Sequence, residues 1–194
     1  KNLEVITTAD GNTAIRGEMT LQTGEANFVT YNTYVSKITR AGKENSAYKG
    51  LETVMDTYVS IADGGKENAT KVYVKGKIQP ESYIDKNTGA VVERMKLSSN
   101  YFNRPKNTEE EPRANFEAEI YITCIIPEVY TTGDKQGETT GRIIVGGYLP
   151  MYGGKIEPIQ FVAPEDIADD VESAIEVGET RLFTGDIVNS RIVV

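Results

Sequence analysis

Histidine and tryptophan are both absent from this chain of 194 residues, and cysteine occurs only once. The absence of histidine removes the commonest general base and the commonest transition-metal ligand of proteins. A single cysteine excludes an internal disulfide framework and fits a reducing compartment such as the cytoplasm. We therefore expect a cytoplasmic protein that is not an enzyme and that carries no metal and no cofactor.

Other catalytic patterns are missing as well. The stretch GGYLPMYGG at residues 146–154 has the wrong spacing for a phosphate-binding loop and is predicted to form a turn between strands. The neighbouring acids Asp169 and Asp170 fit the solvated face of a helix better than a cation site, because isolated adjacent carboxylates do not converge on an ion. No apolar run is long enough for a membrane-spanning helix.

The single cysteine, Cys124, lies in the strand pattern FEAEIYITCII. It is in phase with the apolar residues Phe116, Ala118, Ile120 and Ile122. Reactive thiols need an accessible, electropositive setting, so we expect Cys124 to be a small buried side chain and not a nucleophile.

Charge is distributed unevenly along the chain, whose net charge is −8. Residues 1–104 contain 14 Lys and Arg against 12 Asp and Glu, a net charge of +2, whereas residues 105–194 contain 7 against 17, a net charge of −10. This asymmetry indicates different surfaces and different roles for the two halves. The overall acidity argues against general attraction to nucleic acid, but a local basic stripe is sufficient for phosphate binding.

The stretch RPKNTEEEPR at residues 104–113 has the composition of a linker, with two prolines, an acidic run and no apolar side chain. We predict an N-terminal nucleic-acid-binding domain at residues 1–104, a linker at residues 105–113 and an acidic C-terminal domain at residues 114–194. The segments ENATKVYVKGKIQ at 67–79 and EVGETRLFTGDIV at 176–188 resemble each other and align Gly76 with Gly185. Such an internal repeat indicates two copies of one domain.

Hydrophobic periodicity predicts the elements of both domains. The predicted strands are residues 14–21, 27–39, 71–79 and 91–102 in the first domain, and 115–130, 141–150, 155–162 and 179–189 in the second. Helices are predicted near residues 47–62 and 164–175, and hairpin turns at residues 85–89, 131–140 and 153–154. This order predicts a mainly β protein with two tandem OB-fold-like barrels, each a five-stranded Greek key with one helix.

Strand alternation predicts a basic and aromatic surface in the first domain. Val72, Val74 and Ile78 are expected to point to the core on one strand, and Met95 and Leu97 on the next. The candidate nucleic-acid-binding residues are those of the opposite face, its neighbouring turns and the preceding basic segment: Tyr31, Tyr34, Lys37, Arg40, Lys43, Tyr73, Lys75, Lys77, Tyr83, Lys86, Arg94, Lys96, Tyr101, Phe102 and Arg104. Cations neutralise phosphates and aromatic rings stack on bases, as a groove for single-stranded nucleic acid requires. An ordinary solvated strand face is the alternative interpretation.

Three segments of the N-terminal half form a recognisable pattern: GEMTL at 17–21, GKENSAYKGLETVMDTYVSIA at 42–62 and VYVKGKIQPESYIDKNTGAVVERMKLSSNYFNR at 72–104. In these segments the chain resembles the single-stranded DNA-binding proteins of bacterial viruses, which are distant relatives of bacterial single-stranded DNA-binding protein. RIIVGGYLPMYGGKIEPIQFVAP at 142–164 and VGETRLFTGDIVN at 177–189 look like a second domain of the same viral group. The chain departs from the bacterial proteins in lacking tryptophan and in having a second domain.

This resemblance implies a protein of phage DNA replication or recombination that binds single-stranded DNA without reading its sequence. Replication or recombination proteins and further copies of the chain are the candidate protein partners, and no membrane is involved. Two alternatives stay open: a structural or assembly β-protein of the virion, and an RNA-binding protein with the same fold.

Overall fold

The computed structural model describes residues 1–189, and the chain is mainly β. It divides into two compact units. The first is formed by residues 1–114 together with residues 187–189, and the second by residues 115–186. Residues 104–114, which include the predicted linker, contain no helix or strand. No helix in the described part of the chain is long and apolar enough to cross a membrane.

The first unit contains seven strands and two helices within the described residues. In chain order they are β1 (Asn2–Thr7), β2 (Thr13–Gln22), β3 (Phe28–Ser36), α1 (Ser46–Thr57), α2 (Ile61–Asn68), β4 (Tyr73–Val74), β5 (Lys77–Ile84), β6 (Val91–Ser98) and β7 (Phe102–Asn103). Five of the strands form one sheet in the order β1-β2-β3-β6-β5, and β4 pairs with β7 in a separate ribbon. Strands β1, β2 and β3 form an antiparallel meander, whereas β3 and β6 are parallel. The edge strands β1 and β5 do not pair with each other in the described residues, so the sheet is open and the predicted OB-fold-like barrel is not confirmed.

The core of the first unit lies between this sheet and α1. Ile15 and Val35 are buried on the sheet, and Leu51 and Val54 are buried on the facing side of α1. Helix α1 begins after Asn45, whose side chain accepts a hydrogen bond from the Ala47 N–H at 3.1 Å. Such caps satisfy a backbone donor that has no partner within the helix.

The helix predicted near residues 47–62 is divided into two helices by residues 58–60. Helix α1 ends at Thr57, because Tyr58 has an extended backbone, and Ser60 then caps the start of α2. Gly65, inside α2, takes the non-helical φ of 74° and kinks this short helix. The predicted turn at residues 85–89 is confirmed, since the Asp85 carboxylate accepts hydrogen bonds from the backbone of the turn.

The strand predicted over residues 71–79 is interrupted at Gly76. A Cβ atom at this position would lie 2.6 Å from the Tyr31 ring, so the close approach of that ring requires glycine. The equivalent position of the repeat, Gly185, would likewise place a Cβ 2.8 Å from the ring of Phe116. Gly76 lies outside the regular strands, between β4 and β5, whereas Gly185 lies within a strand at the edge of its sheet. The expected superposition of two barrels on these glycines is therefore not confirmed.

The second unit is a four-stranded sheet with a short helical segment. Its elements are β8 (Asn115–Val129), β9 (Thr139–Pro150), β10 (Ile156–Ala163), a 3₁₀ turn (Glu165–Ile167), α3 (Ala168–Ala174) and β11 (Thr180–Asp186). All pairings are antiparallel in the order β10-β9-β8-β11. Ile120, Ile122 and Val145 are buried, and the rings of Phe116 and Phe161 stack with centroids 4.7 Å apart.

A β-bulge in β8 overturns the expected burial of Cys124. Ile122 pairs with Gly147 but Cys124 pairs with Gly146, so one extra residue interrupts the alternation. Cys124 therefore points to the opposite side of the sheet from Ile122, and its side chain is only half-buried.

The strand predicted over residues 179–189 ends at Asp186, and Ile187 and Asn189 hydrogen-bond to Asn27 and Phe28 at the start of β3 in the first unit. The Asn189 N–H donates to the Asn27 side chain at 2.6 Å, and the Asn27 amide donates to the Ile187 carbonyl at 2.9 Å. The Asn189 side chain also donates to the Phe28 carbonyl at 2.9 Å. The first unit thus consists of two segments of the chain, separated in sequence by the second unit.

Lys1 closes the C-terminal end of α1. Its ammonium group donates to the backbone carbonyls of Val54, Met55 and Tyr58 at 2.9, 2.6 and 2.7 Å. The last carbonyls of a helix lack partners within the helix and form the negative end of its dipole. The ammonium group of Lys1 therefore supplies hydrogen-bond donors to these carbonyls and a positive charge at the negative end of the dipole.

We predict that Lys1→Ala lowers the melting temperature of the protein by roughly 2–6 °C, because it removes a cation from a helix C-terminus. The measurement is a thermal melt followed by circular dichroism. The matched control is Lys106→Ala, which removes an exposed lysine from the segment without regular structure. Equal melting temperatures of both variants and the parent would contradict this role of Lys1.

Candidate nucleic-acid interface

Most of the predicted binding residues of the sheet lie on its outer face, by which we mean the face turned away from α1. Directly opposed residues of neighbouring strands share a face. Because Ile15 and Val35 point to the core, the next pair, Arg16 and Tyr34, points outward. The charged residues and tyrosines of the outer face are Glu4, Arg16, Glu18, Tyr34, Lys77, Glu81, Tyr83, Arg94 and Lys96.

Two tyrosines of the outer face are accessible for stacking. The side chains of Tyr34 and Tyr83 are 54% and 42% exposed. The guanidinium group of Arg94 lies 5.2 Å from the centroid of the Tyr83 ring, a cation–π distance. Both an aromatic face and a cation are therefore presented together on the β5–β6 hairpin.

Three carboxylates on the outer face, those of Glu4, Glu18 and Glu81, were not among the predicted site residues. Glu4 pairs with Arg16 at 2.7 Å, and Glu81 pairs with Arg94 at 2.6 Å and with Lys96 at 2.8 Å. The hydrogen bonds from Lys96 and then Arg94 hold the pKa of Glu81 below its ordinary value. Strand alternation contained the signal for Glu81, which is in phase with Lys77.

The predicted cations without an ion-pair partner among residues 1–189 include five on the outer face and its neighbouring loops. Lys77 lies on the outer face, in one row with Asn32 and Ser98. Lys37, Arg40 and Lys43 lie on the exposed loop between β3 and α1, and Lys86 lies in the turn of the β5–β6 hairpin. These cations are available to phosphate groups.

The β4–β7 ribbon presents a further aromatic and basic group. Val74 and Phe102 are opposed and turn toward the core, and Tyr73 is 57% exposed. Lys75 directly follows β4 and Tyr101 directly precedes β7, and both residues are exposed. Ser99 joins them, since its hydroxyl donates to the Lys75 carbonyl at 3.1 Å and accepts from the Tyr101 N–H at 3.2 Å.

Three of the predicted site residues lie elsewhere. Phe102 is 5% exposed in the core, and its ring meets that of Tyr31 edge-to-face with centroids 6.3 Å apart. Burial raises the pKa of Tyr31. The guanidinium group of Arg104 lies 4.9 Å from the Tyr58 ring, beside the end of α1. Tyr31 and Phe102 therefore support the sheet from inside.

The β5–β6 hairpin extends beyond the rest of the sheet. Only Leu97 and Ser98 of β6 pair with β3, so the remainder of the hairpin has no neighbouring strand. Met95, predicted to point into the core, is 48% exposed for this reason, and Ile84 is 67% exposed. Met95 lies on the expected face, opposite to that of Arg94 and Lys96, but it is not buried, because strand alternation does not show where a sheet ends.

The second unit offers no comparable basic surface. Within residues 115–186 there are four Lys and Arg against fourteen Asp and Glu. The exposed pair Asp169 and Asp170 lies on α3, as predicted from the sequence. Within the described residues, no group of three or more Cys, Asp or Glu side chains is placed to hold a metal ion.

Fold and surface define a mainly β protein of two open-sheet units, the first of which carries an aromatic and basic outer face. The family model named YorF matches residues 1–194, so the chain belongs to the YorF family. No curated protein matches the sequence significantly.

We predict that Tyr31→Ala and Tyr34→Ala differ sharply in stability, although the two residues lie on the same strand. Tyr31→Ala should destabilise the protein by about 1–3 kcal/mol, because it removes a ring from the core. Tyr34→Ala should change stability by less than about 0.5 kcal/mol, as is usual for exposed positions. Urea denaturation measures both values, and a larger loss for Tyr34→Ala would contradict the assignment of faces.

Proposed function

We propose that this protein binds single-stranded DNA without reading its sequence and without catalysing a reaction. The bases would stack on exposed tyrosines, while lysines and arginines neutralise the phosphates. We further propose that it acts in the cytoplasm of a bacterial host, where it protects or organises exposed strands during phage replication or recombination. The single observation that carries this proposal is the outer face of the first unit, with its accessible tyrosines and neighbouring free cations.

The strand order supports an OB-type fold for the first unit. An OB-fold is a partly open five-stranded Greek-key barrel, in which a meander is followed by a helix and a closing hairpin. Here β1, β2 and β3 form the meander, α1 follows, and the β5–β6 hairpin returns beside β3. Oligonucleotides bind OB-folds on the outer strand face and the neighbouring loops, which correspond to the surface described above.

A degenerate version of the same order supports an OB-type origin for the second unit. Its helix lies between the third and fourth strands of the unit, as α1 does in the first. The long strand β8 pairs with β11 through its first half and with β9 through its second half, with bulges in the second half. A bulged strand that serves two neighbours is how small barrels turn their corners.

The charge of the second unit argues for a different role. Fourteen acidic residues against four basic ones repel a nucleic-acid backbone. The unit nevertheless exposes Tyr121 and Tyr148, which are 47% and 42% accessible and are opposed on neighbouring strands. We propose that this unit contacts replication or recombination proteins, or further copies of the chain.

The test is a fluorescence-anisotropy titration of the full chain with labelled single-stranded DNA, duplex DNA and single-stranded RNA. We assume one phosphate contact for each of five cations: Lys37, Arg40, Lys43, Lys75 and Lys77. Raising the salt concentration from about 50 to 200 mM should then weaken binding to single strands roughly 100-fold. Tighter binding to RNA than to DNA would identify single-stranded RNA, and not DNA, as the ligand. Absence of binding to any of the three at low salt would overturn the proposal and favour a structural role in the virion.

We predict that Lys75→Ala combined with Lys77→Ala weakens binding at low salt and flattens the salt dependence. The slope of log affinity against log salt should fall by up to about 1.4, since each phosphate contact on a single strand contributes roughly 0.7. The matched control is Lys135→Ala combined with Lys155→Ala, which removes two exposed lysines from the second unit. If both double variants bind like the parent, the groove does not include these residues.

A further inference from the structure

Glu81 occupies the centre of the cationic part of the outer face. Its Oε2 accepts a hydrogen bond from Arg94 Nε at 2.6 Å, and Lys96 Nζ lies 2.8 Å from both carboxylate oxygens. One carboxylate therefore engages two of the four cations on the outer face. The Glu81 side chain remains 36% exposed, so the ion-paired group faces solvent.

Strand pairing brings these three residues together. Glu81 is directly opposite Arg94, and the next pair on the same face of the hairpin is Gln79 opposite Lys96. The three side chains share the outer face with Lys77 because alternate residues of a strand point the same way. The arrangement is therefore built into the register of the hairpin.

A carboxylate and a phosphate group compete for the same donors. Arg and Lys donate charge-assisted hydrogen bonds to the oxygens of either anion, in similar geometry. A DNA phosphate that approaches Arg94 or Lys96 thus finds its position already taken by Glu81. A phosphate that displaces Glu81 gains less binding free energy than one that binds an unpaired cation, because the existing ion pair must first be broken.

We propose that Glu81 is an internal competitor for the DNA backbone, which occupies the donors of Arg94 and Lys96 and thereby limits the affinity of the outer face for single strands. This inference rests on the proposed function. It assigns to Glu81 a role in setting affinity and salt dependence, through the two cations that it holds.

A positioning role for Glu81 would have the opposite consequence. If the carboxylate were needed to hold the cations toward DNA, its removal would weaken binding. Arg94, however, is also held by the Tyr83 ring, 5.2 Å from its guanidinium group. Lys96 is only 33% exposed and lies on a paired strand. Both cations therefore keep their place on the outer face when the carboxylate is neutralised.

The experiment compares the full-length parent with Glu81→Gln in salt titrations on labelled single-stranded DNA. We expect Glu81→Gln to bind about two- to tenfold more tightly at low salt, since exposed ion pairs are individually weak. Its salt slope should steepen by up to about 1.4, as two further phosphate contacts form. Adding Arg94→Gln and Lys96→Gln to Glu81→Gln should abolish the gain.

The matched control is Glu179→Gln, which makes the same change of charge in the second unit. Glu179 pairs with Arg181 at 2.9 Å, and its side chain is likewise 36% exposed. Unchanged or weaker binding by Glu81→Gln, with a normal melt and a binding parent, would overturn this inference and leave the proposed function intact. If Glu81→Gln and Glu179→Gln gained the same affinity, the change in net charge alone would explain the effect, and the inference would again be overturned. Binding by neither the parent nor Glu81→Gln would refute the inference and the proposed function together.

Discussion

The packing of α1 against the five-stranded sheet decides which face of the first unit is available for binding. Leu51 and Val54 of the helix cover the side that carries Ile15 and Val35. The residues that alternate with these along each strand, including Tyr34, therefore lie on the outer face. Burial of an apolar side chain contributes about 1.5–3 kcal/mol, so reversing the faces would cost far more than any gain from surface charges. The position of the tyrosines and cations follows from this core.

The electrostatics of the outer face are set by pairing within the protein as much as by its cations. Arg16, Arg94 and Lys96 all have carboxylate partners, whereas Lys77 has none among the described residues. Exposed pairs of this kind are individually weak, yet each must be exchanged before a phosphate binds. Under our proposal, unpaired lysines provide the first contacts with DNA and the paired cations add less than their number implies.

Local patterns predicted the parts of the structure that depend on neighbouring residues. The buried stripe of α1, the turn at Asp85 and the succession of strands in the second unit are all visible as periodicity and turn chemistry. Strand β1 escaped prediction because its six residues are ordered by pairing with β2 and carry only a weak pattern. The position of Cys124 depends on a bulge, which shifts alternation without a sequence signal.

The candidate site was predictable to the same extent. Alternation identified Lys77, Arg94 and Lys96 as residues of one face, as the strand register requires. It also assigned Tyr31 to the site, although that ring packs edge-to-face on Phe102 in the core. The difference arises because Tyr31 lies one residue out of phase with the outer-face positions of β3, and only the pairing with β2 reveals the phase.

Photocrosslinking to single-stranded DNA that contains 5-iodouracil, followed by mass spectrometry, tests the central claim most directly. The chain carries its own controls, because tyrosines of similar exposure occur in both units: Tyr34 and Tyr83 in the first, Tyr121 and Tyr148 in the second. Our account predicts crosslinks at Tyr34 and Tyr83, with additional ones at Tyr73 and Tyr101, and none in the second unit. Crosslinks concentrated on Tyr121 and Tyr148 would contradict it.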